Sequence, residues 1–182
     1  EEVQRVPAGA EPSQGMMHDG PPPTAAGFSC RRSIRHAHAT GLGLLSIQQL
    51  HWQARPDIFR EPDTAALREF FLSRLQDGGS HILIVVAEGR PVGFLSAEYQ
   101  ARKANAFRLD SSVLYIHQIA VDPSAQTAGV GSKLMSAAVD CAVRLNATGL
   151  RLDAWTFNTA AHRFFEGHDF TAMNITFERE LP

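Results

Sequence analysis

The residues best placed to do chemistry are Gln126-Thr127-Ala128-Gly129-Val130-Gly131, a tight loop with two glycines that follows an apolar run ending at Val121-Asp122-Pro123. A strand, a glycine loop and a helix beginning at the second glycine together build an anion site. The glycines let the backbone approach a ligand closely, and the first turn of the helix offers N–H groups that have no intrahelical acceptor, at the positive end of the helix dipole. A pyrophosphate suits such a site. Backbone donors make side-chain charge secondary, so the absence of Arg and Lys from 126 to 132 is no objection, and Lys133 adds attraction just beyond. A lone G-x-G equally serves a sharp turn and close helix packing, and the loop by itself leaves both readings open. Two other nucleotide motifs are excluded. The chain has no Gly-x-x-x-x-Gly-Lys-Ser/Thr, and Gly129-Val130-Gly131-Ser132-Lys133-Leu134 lacks the third glycine of the dinucleotide fingerprint.

The elements that must hold this loop are read from periodicity and punctuation. Phe28 to Ile34 alternates as a first strand, and a helix from about Thr40 places Leu44, Ile47 and His51 on one face. Asp63 caps a second helix with Leu67, Phe70, Phe71, the Arg74 stem and Leu75 at helical spacing, ended by Gly78-Gly79. His81 to Ala87 and Val92 to Gln100 read as a hairpin around a turn at Gly89-Arg90-Pro91, followed by a polar loop at 101–111 that is expected to be mobile. Val113 to Val121 is a further strand. The helix after the glycine loop aligns Val130, Leu134, Ala137, Cys141 and Leu145, and Gly149 stops it. Leu150 to Thr156 reads as a strand, Asn158 caps a short helix through Gly167, and Thr171 to Leu181 alternates as a closing strand. The order is βααβββαβαβ.

Composition bounds the function classes. A chain of 182 residues, 44% hydrophobic and 20% charged, fits one domain with a real core, here 28–182. The first 27 residues carry five prolines and four glycines without apolar periodicity and read as a disordered extension. They lack the apolar stretch of a secretory signal, and Glu1, Glu2, Glu11 and Asp19 argue against a transit peptide. The missing initiator Met suggests a trimmed start, with Met16 or Met17 as the natural one. Seventeen basic and nineteen acidic side chains, a net charge of −2, give no global attraction for nucleic acid or an anionic membrane. Cys30 and Cys141 have no ligand-spaced partners, which points away from a metal site or disulfide framework and toward a reducing cytoplasm. No run approaches the roughly 20 apolar residues of a membrane span.

The stretch Ile119-Ala120-Val121-Asp122-Pro123 followed by Gln126-x-x-Gly129-x-Gly131 resembles motif A of the GNAT superfamily of acetyltransferases. Asn158-Thr159-Ala160-Ala161-His162-Arg163-Phe164-Phe165-Glu166, with Phe170 beyond, resembles motif B, and the two stand in the family's order and spacing. The resemblance implies an α/β fold with a mixed central sheet, helices on both faces, and two splayed strands, ending near Val121 and beginning at Leu150. It implies that acetyl-coenzyme A is held by Ile119, Ala120, Val121, the loop Gln126, Thr127, Ala128, Gly129, Val130, Gly131 and Ser132, and Asn158, Ala161 and Phe165. In that scheme the Ile119 N–H polarises the acetyl carbonyl and the Val121 backbone pairs with the pantetheine arm. Two positions depart from the pattern. Phe165 stands where the family usually has a Tyr that protonates the departing thiolate, so packing survives and the acid does not. A thiol of pKa about 8.5 is a tolerable leaving group without one. Asp169 replaces the usual Gly before Phe170 and must tolerate left-handed geometry.

The expected reaction is transfer of acetyl to a primary amine in a ternary complex, with no acyl-enzyme. An amine of pKa about 10.4 is almost wholly protonated at neutral pH, so the site needs a base. His117 and Glu98 are the candidates. His117 precedes Ile119 by two residues on one strand, and an imidazole titrates near working pH. Strict alternation puts it on the face of Ile119, whereas the bulge usual in the family reverses that facing. Structural roles remain open for both: a satisfied histidine and a solvated strand carboxylate. His51, Trp52 and Phe59, on the segment that forms an acceptor wall in the family, together with Trp155, are expected to contact the acceptor or, alternatively, to plug the core. The acceptor is a small-molecule amine, such as an aminoglycoside or polyamine, or a protein N-terminus or lysine. A coenzyme A-binding sensor or scaffold is the rival reading, and a homodimer through the terminal strand at 171–181 is compatible with the sequence.

Overall fold

The computed structural model describes residues 28–31, 41–76, 79–126 and 128–181. The expected extension at 1–27, the first strand beyond Arg31, Thr127 and the proposed stop at Gly78 lie outside the described residues. Five strands, β1 (Phe28–Arg31), β2 (Ser80–Ala87), β3 (Arg90–Arg102), β4 (Ser111–Val121) and β5 (Gly149–Leu152), form one sheet in the order β1-β2-β3-β4-β5. Neighbours are antiparallel except β4 and β5, which run parallel, so the sheet is mixed. Parallel neighbours need a crossover, and the helix α3 (Val130–Arg144) provides it.

Helices cover both faces. On one, Leu95, Ala97, Leu114 and Ile116 pack against Val130, Leu134, Met135 and Ala138 of α3. On the other, Ile82, Ile84, Phe94 and Ala120 meet Phe71 of α2 (Thr64–Gln76), with Ile47 of α1 (Gly41–Ala54) alongside. The rings of Phe71 and Phe94 meet edge to face at 5.0 Å, and each fully buried aromatic contributes about 1.5–3 kcal/mol. Asp63 caps α2 by accepting from the N–H groups of Ala65 and Ala66. Phe70, expected on the buried stripe, faces out instead, since α2 buries only the narrow face that carries Phe71.

Several boundaries differ from the sequence expectation. The β2–β3 turn is Glu88-Gly89, both at positive φ (48° and 76°), so Arg90 and Pro91 already belong to β3. Two left-handed central residues match the strand twist, and a Gly89-Arg90-Pro91 turn would not. Helix α3 stops before Gly149, at left-handed Asn146 (φ 53°), where the Ala147 N–H donates to Ala142 O and the Asn146 N–H to Val143 O. Gly149 opens β5. That strand ends at Leu152, earlier than Thr156, because the chain then turns at Trp155–Asn158 into α4 (Thr159–Glu166). The closing strand at Thr171–Leu181 is absent. A strand exists only through a ladder partner, and 171–181 has none among the described residues, leaving Met173, Ile175 and Phe177 exposed despite their alternation.

The feature that positions the site is in β4. Its pairing with β3 skips a residue: Ser96 faces Gln118 while Ala97 faces Ile116, so His117 is the extra residue of a bulge. Its pairing with β5 spans only Val113–Ile116, and from His117 onward the two strands separate.

Asp169 sits at φ 64°, a conformation that costs a residue with a Cβ. Asp169→Gly should therefore stabilise the fold by up to about 1 kcal/mol, and Asp169→Val should destabilise it by more, read as shifts of thermal midpoint in opposite directions.

Candidate functional site

The glycine loop is built by short-range caps. Asp122 ends β4 and accepts from the Ser124 N–H at 2.9 Å and its hydroxyl at 2.6 Å, which lowers the Asp122 pKa and starts a single 3-10 turn at Pro123–Ala125. The Ala128 N–H returns to Ala125 O. Gly129 follows at φ 72°, the left-handed N-cap of α3, with open space around it. Gly131 is the opposite case: a Cβ there would lie 2.9 Å from the Phe164 ring of α4. One glycine serves the turn and the open surface, the other the helix contact. Val130 is fully buried and anchors the first turn of α3, whose leading N–H groups have no acceptor within the helix. Gln126, Ala128 and Ser132 are exposed around this turn.

Beside the loop lies the gap between β4 and β5. Ile119 and Val121 pack toward the α3 side, and Ala120 is buried on the α2 side. Asn158, at the far rim, accepts from the Ala161 N–H at 3.2 Å and caps α4. Phe165 is buried between Phe164 and Phe170. An anion-binding helix start next to a cleft with unpaired strand backbone fits a long ligand with a phosphate end and an extended arm. These residues therefore fit acetyl-coenzyme A: the loop 126–132 would hold its diphosphate and β4 with Asn158 its pantetheine arm.

The bulge decides where His117 points. Leu114 and Ile116 face α3, then Ile119 and Val121 do, and His117 lies on the opposite face with Tyr115 and Glu98. The reading from strict alternation, which placed His117 with Ile119, is overturned by this extra residue. The His117 Nε2 meets Glu98 Oε2 at 3.2 Å, and Arg74 of α2 approaches the same oxygen at 3.8 Å. The Tyr115 ring lies 5.2 Å from the His117 ring, and its hydroxyl donates to Asp153 just past β5. Burial and that carboxylate push the Tyr115 pKa up to about 12.

A second group of rings forms an aromatic cluster. His51 lies 4.8 Å from Phe59, Phe59 meets Trp155 edge to face at 5.1 Å, and Trp155 stacks with Phe157 at 5.9 Å. Burial lowers the His51 pKa. His162 of α4 donates from Nε2 to the Trp155 carbonyl at 3.0 Å and fixes that segment. Three of the four expected wall residues thus come together. Trp52, one position round the helix from His51, makes no ring contact with them. Arg55 beside the cluster is forked onto Asp57 and Glu178, which ties the irregular C-terminal segment to the α1–α2 connection. Tyr115, Asp153 and Phe157 escaped the sequence reading. The signal for Tyr115 was its two-residue spacing from His117, and for Phe157 its spacing from Trp155, whereas nothing local marks Asp153.

Comparison with known proteins follows this geometry. The model of the acetyltransferase (GNAT) family matches residues 44–170. No curated protein matches the chain. Among solved structures, a tetramutant of the BH1408 protein from Bacillus halodurans is similar at 19% identity and TM-score 0.78, covering 85% of this chain and 99% of that one. The aminoglycoside N-acetyltransferase AAC(6')-Iy in complex with CoA is similar at 20% identity and TM-score 0.64, covering 87% and 97%. The same enzyme with the bisubstrate analogue CoA-S-monomethyl-acetylneamine gives 23%, 0.61, 85% and 99%. At these identities the structures establish the fold.

Two outcomes test the geometry. Gly131→Ala should lower thermal stability by about 1–3 kcal/mol through overlap with Phe164, and Phe164→Leu in the same chain should recover part of it. Spectroscopic titration of the two tyrosines should show a late phenol transition near pH 12 that Tyr115→Phe removes. Because the folded pKa is raised, the stability contributed by the protonated Tyr115 is complete below about pH 10 and is lost as pH rises toward 12.

Proposed function

The chain belongs to the acetyltransferase (GNAT) family and uses acetyl-coenzyme A, and from that membership we propose that it acetylates a primary amine by direct attack, with donor and acceptor bound together. The observation that carries this reading is the bulge at His117, which puts an imidazole and its carboxylate partner at the gap between β4 and β5, on the face away from α3. Bound acetyl-coenzyme A supplies an acetyl group activated as a thioester. The chain's residues hold it and take one proton from the acceptor.

His117 is the base in this reading. An ionised carboxylate only accepts, so the contact with Glu98 places the proton on Nε2 and leaves Nδ1 as the accepting atom. The acceptor ammonium must lose a proton to attack, Nδ1 takes it, and Glu98 favours the imidazolium that results. Phe165 is buried and has no proton to give, so the second proton, which the nitrogen loses as the tetrahedral adduct collapses to the amide, reaches the departing thiolate through solvent water. His51, Phe59, Trp155 and Phe157 form the wall against which the acceptor lies. A small-molecule amine is favoured by the likeness to an aminoglycoside N-acetyltransferase, and a peptide amine is the alternative. Among the described residues no helix is long and apolar enough to cross a membrane.

Two measurements decide these points. Thiol release from acetyl-coenzyme A across a panel of small-molecule and peptide amines should depend on the amine. Tight coenzyme A binding with no amine-dependent release would make the domain a binding module. For the base, His117→Ala should lower kcat/KM by about 10²–10⁴-fold and remove the acidic limb of its pH profile. An acidic limb unchanged from wild type would take His117 out of the role.

A further inference from the structure

The glycine loop carries no Arg or Lys between 126 and 132, yet the ligand it fits is strongly anionic. The fold brings an imidazole there from elsewhere. His168, just beyond α4, reaches the first turn of α3: its Nε2 lies 3.0 Å from Ser132 Oγ and its Nδ1 lies 2.8 Å from the Phe164 carbonyl. Its ring packs on Phe164 at 4.4 Å, and Phe164 in turn fills the space over Gly131. The contacts close a circuit, Gly131–Phe164–His168–Ser132, which fixes the imidazole beside the helix start.

The hydrogen bonds determine the ring's chemistry. A carbonyl only accepts, so Nδ1 carries a proton. Nε2 then has two states. In the neutral ring it accepts the Ser132 hydroxyl proton, which turns that proton away from the helix start. In the imidazolium Nε2 donates, and the hydroxyl proton is released toward the open first turn. A phosphate dianion there favours the second state twice, through charge and through the freed hydroxyl, and solvent supplies the proton that binds Nε2. The charged residues next to this corner along the chain are Lys133 on α3, Arg163 and Glu166 on α4, and Asp169 beside His168.

We propose that His168 is a cofactor-binding residue whose imidazolium, coupled to Ser132, supplies the positive charge for the coenzyme A diphosphate that the loop's own side chains lack. The proposal rests on the glycine loop as the coenzyme A site. Its test compares wild type with His168→Gln, which retains an amide able to hydrogen-bond but no charge. Calorimetric titration with coenzyme A should show the variant weaker by about tenfold, with KM for acetyl-coenzyme A raised equally and kcat within about twofold. S-acetyl-pantetheine, which has no diphosphate, should be used equally well by both proteins. Titration in buffers of different ionisation enthalpy should reveal proton uptake by wild type that exceeds the variant's. Equal coenzyme A affinity in the two proteins would overturn the proposal, as would equal losses with acetyl-coenzyme A and S-acetyl-pantetheine, which would mark a packing role. Wild type failing to bind coenzyme A would instead remove the loop as the site, and the proposal with it.

Discussion

Strand β4 is bound by two neighbours that make incompatible demands. Along β3 it is paired from end to end, while β5 holds it only at Val113–Ile116. The bulge at His117 falls at the residue where the second constraint lapses. Without the extra residue, the apolar set Leu114, Ile116, Ile119 and Val121 could not stay on the α3 side of the sheet, because successive strand positions alternate. Keeping the register would bury the His117 imidazole against Leu134 and Met135, and an unpaired polar group there costs about 1–3 kcal/mol. One inserted residue satisfies the core on both sides of the break. It also turns His117 to the face shared by Tyr115 and Glu98 and leaves the β4 backbone past Ile116 without a β5 partner.

The cofactor loop is coupled to that arrangement through α3 and α4. Gly131 permits Phe164 to lie on the first turn of α3, Phe164 O holds His168, and His162 on the same helix holds the Trp155 carbonyl. Helix α4 therefore touches both the first turn of α3 and the aromatic cluster. A change in its packing reaches both ends of the cleft, which is why the two sequence motifs act as one mechanical unit. Close helix packing accounts for Gly131, and the left-handed turn with open space beside it accounts for Gly129.

What could be read from the sequence was what is decided locally. Asp63 and Asn158 cap their helices as their positions imply, and Asp169 adopts the left-handed conformation its place in the motif requires. Such features depend on a few adjacent residues. The bulge depends on cross-strand register, so alternation alone misassigned His117. The alternating run 171–181 has a strand's pattern, but pattern supplies no ladder partner, and among the described residues none is present. The end of α3 was misplaced for a milder reason: Gly149 is the conventional stop, yet Asn146 enters the left-handed region three residues earlier and releases the chain into β5. Phe157 and Asp153 could be placed only once the turn after β5 was known.

Around the sheet face opposite α3, four carboxylates are set against two arginines. Glu98 lies between His117 and Arg74, and Asp57 and Glu178 share Arg55. Asp153 has the Tyr115 hydroxyl, which stays protonated across the physiological range because its pKa is about 12. Three of these four carboxylates thus have a cationic partner, and the fourth is held by a neutral donor. The two arginines leave an excess of negative charge, which draws a cation at short range and is screened by salt beyond it. Under the proposed acetyl transfer, that charge would favour cationic amines in general, and selection among them would rest on the shape of the cluster of His51, Phe59, Trp155 and Phe157. The carboxylates would act at short range, Glu98 on the His117 ring and Asp153 on the Tyr115 phenol.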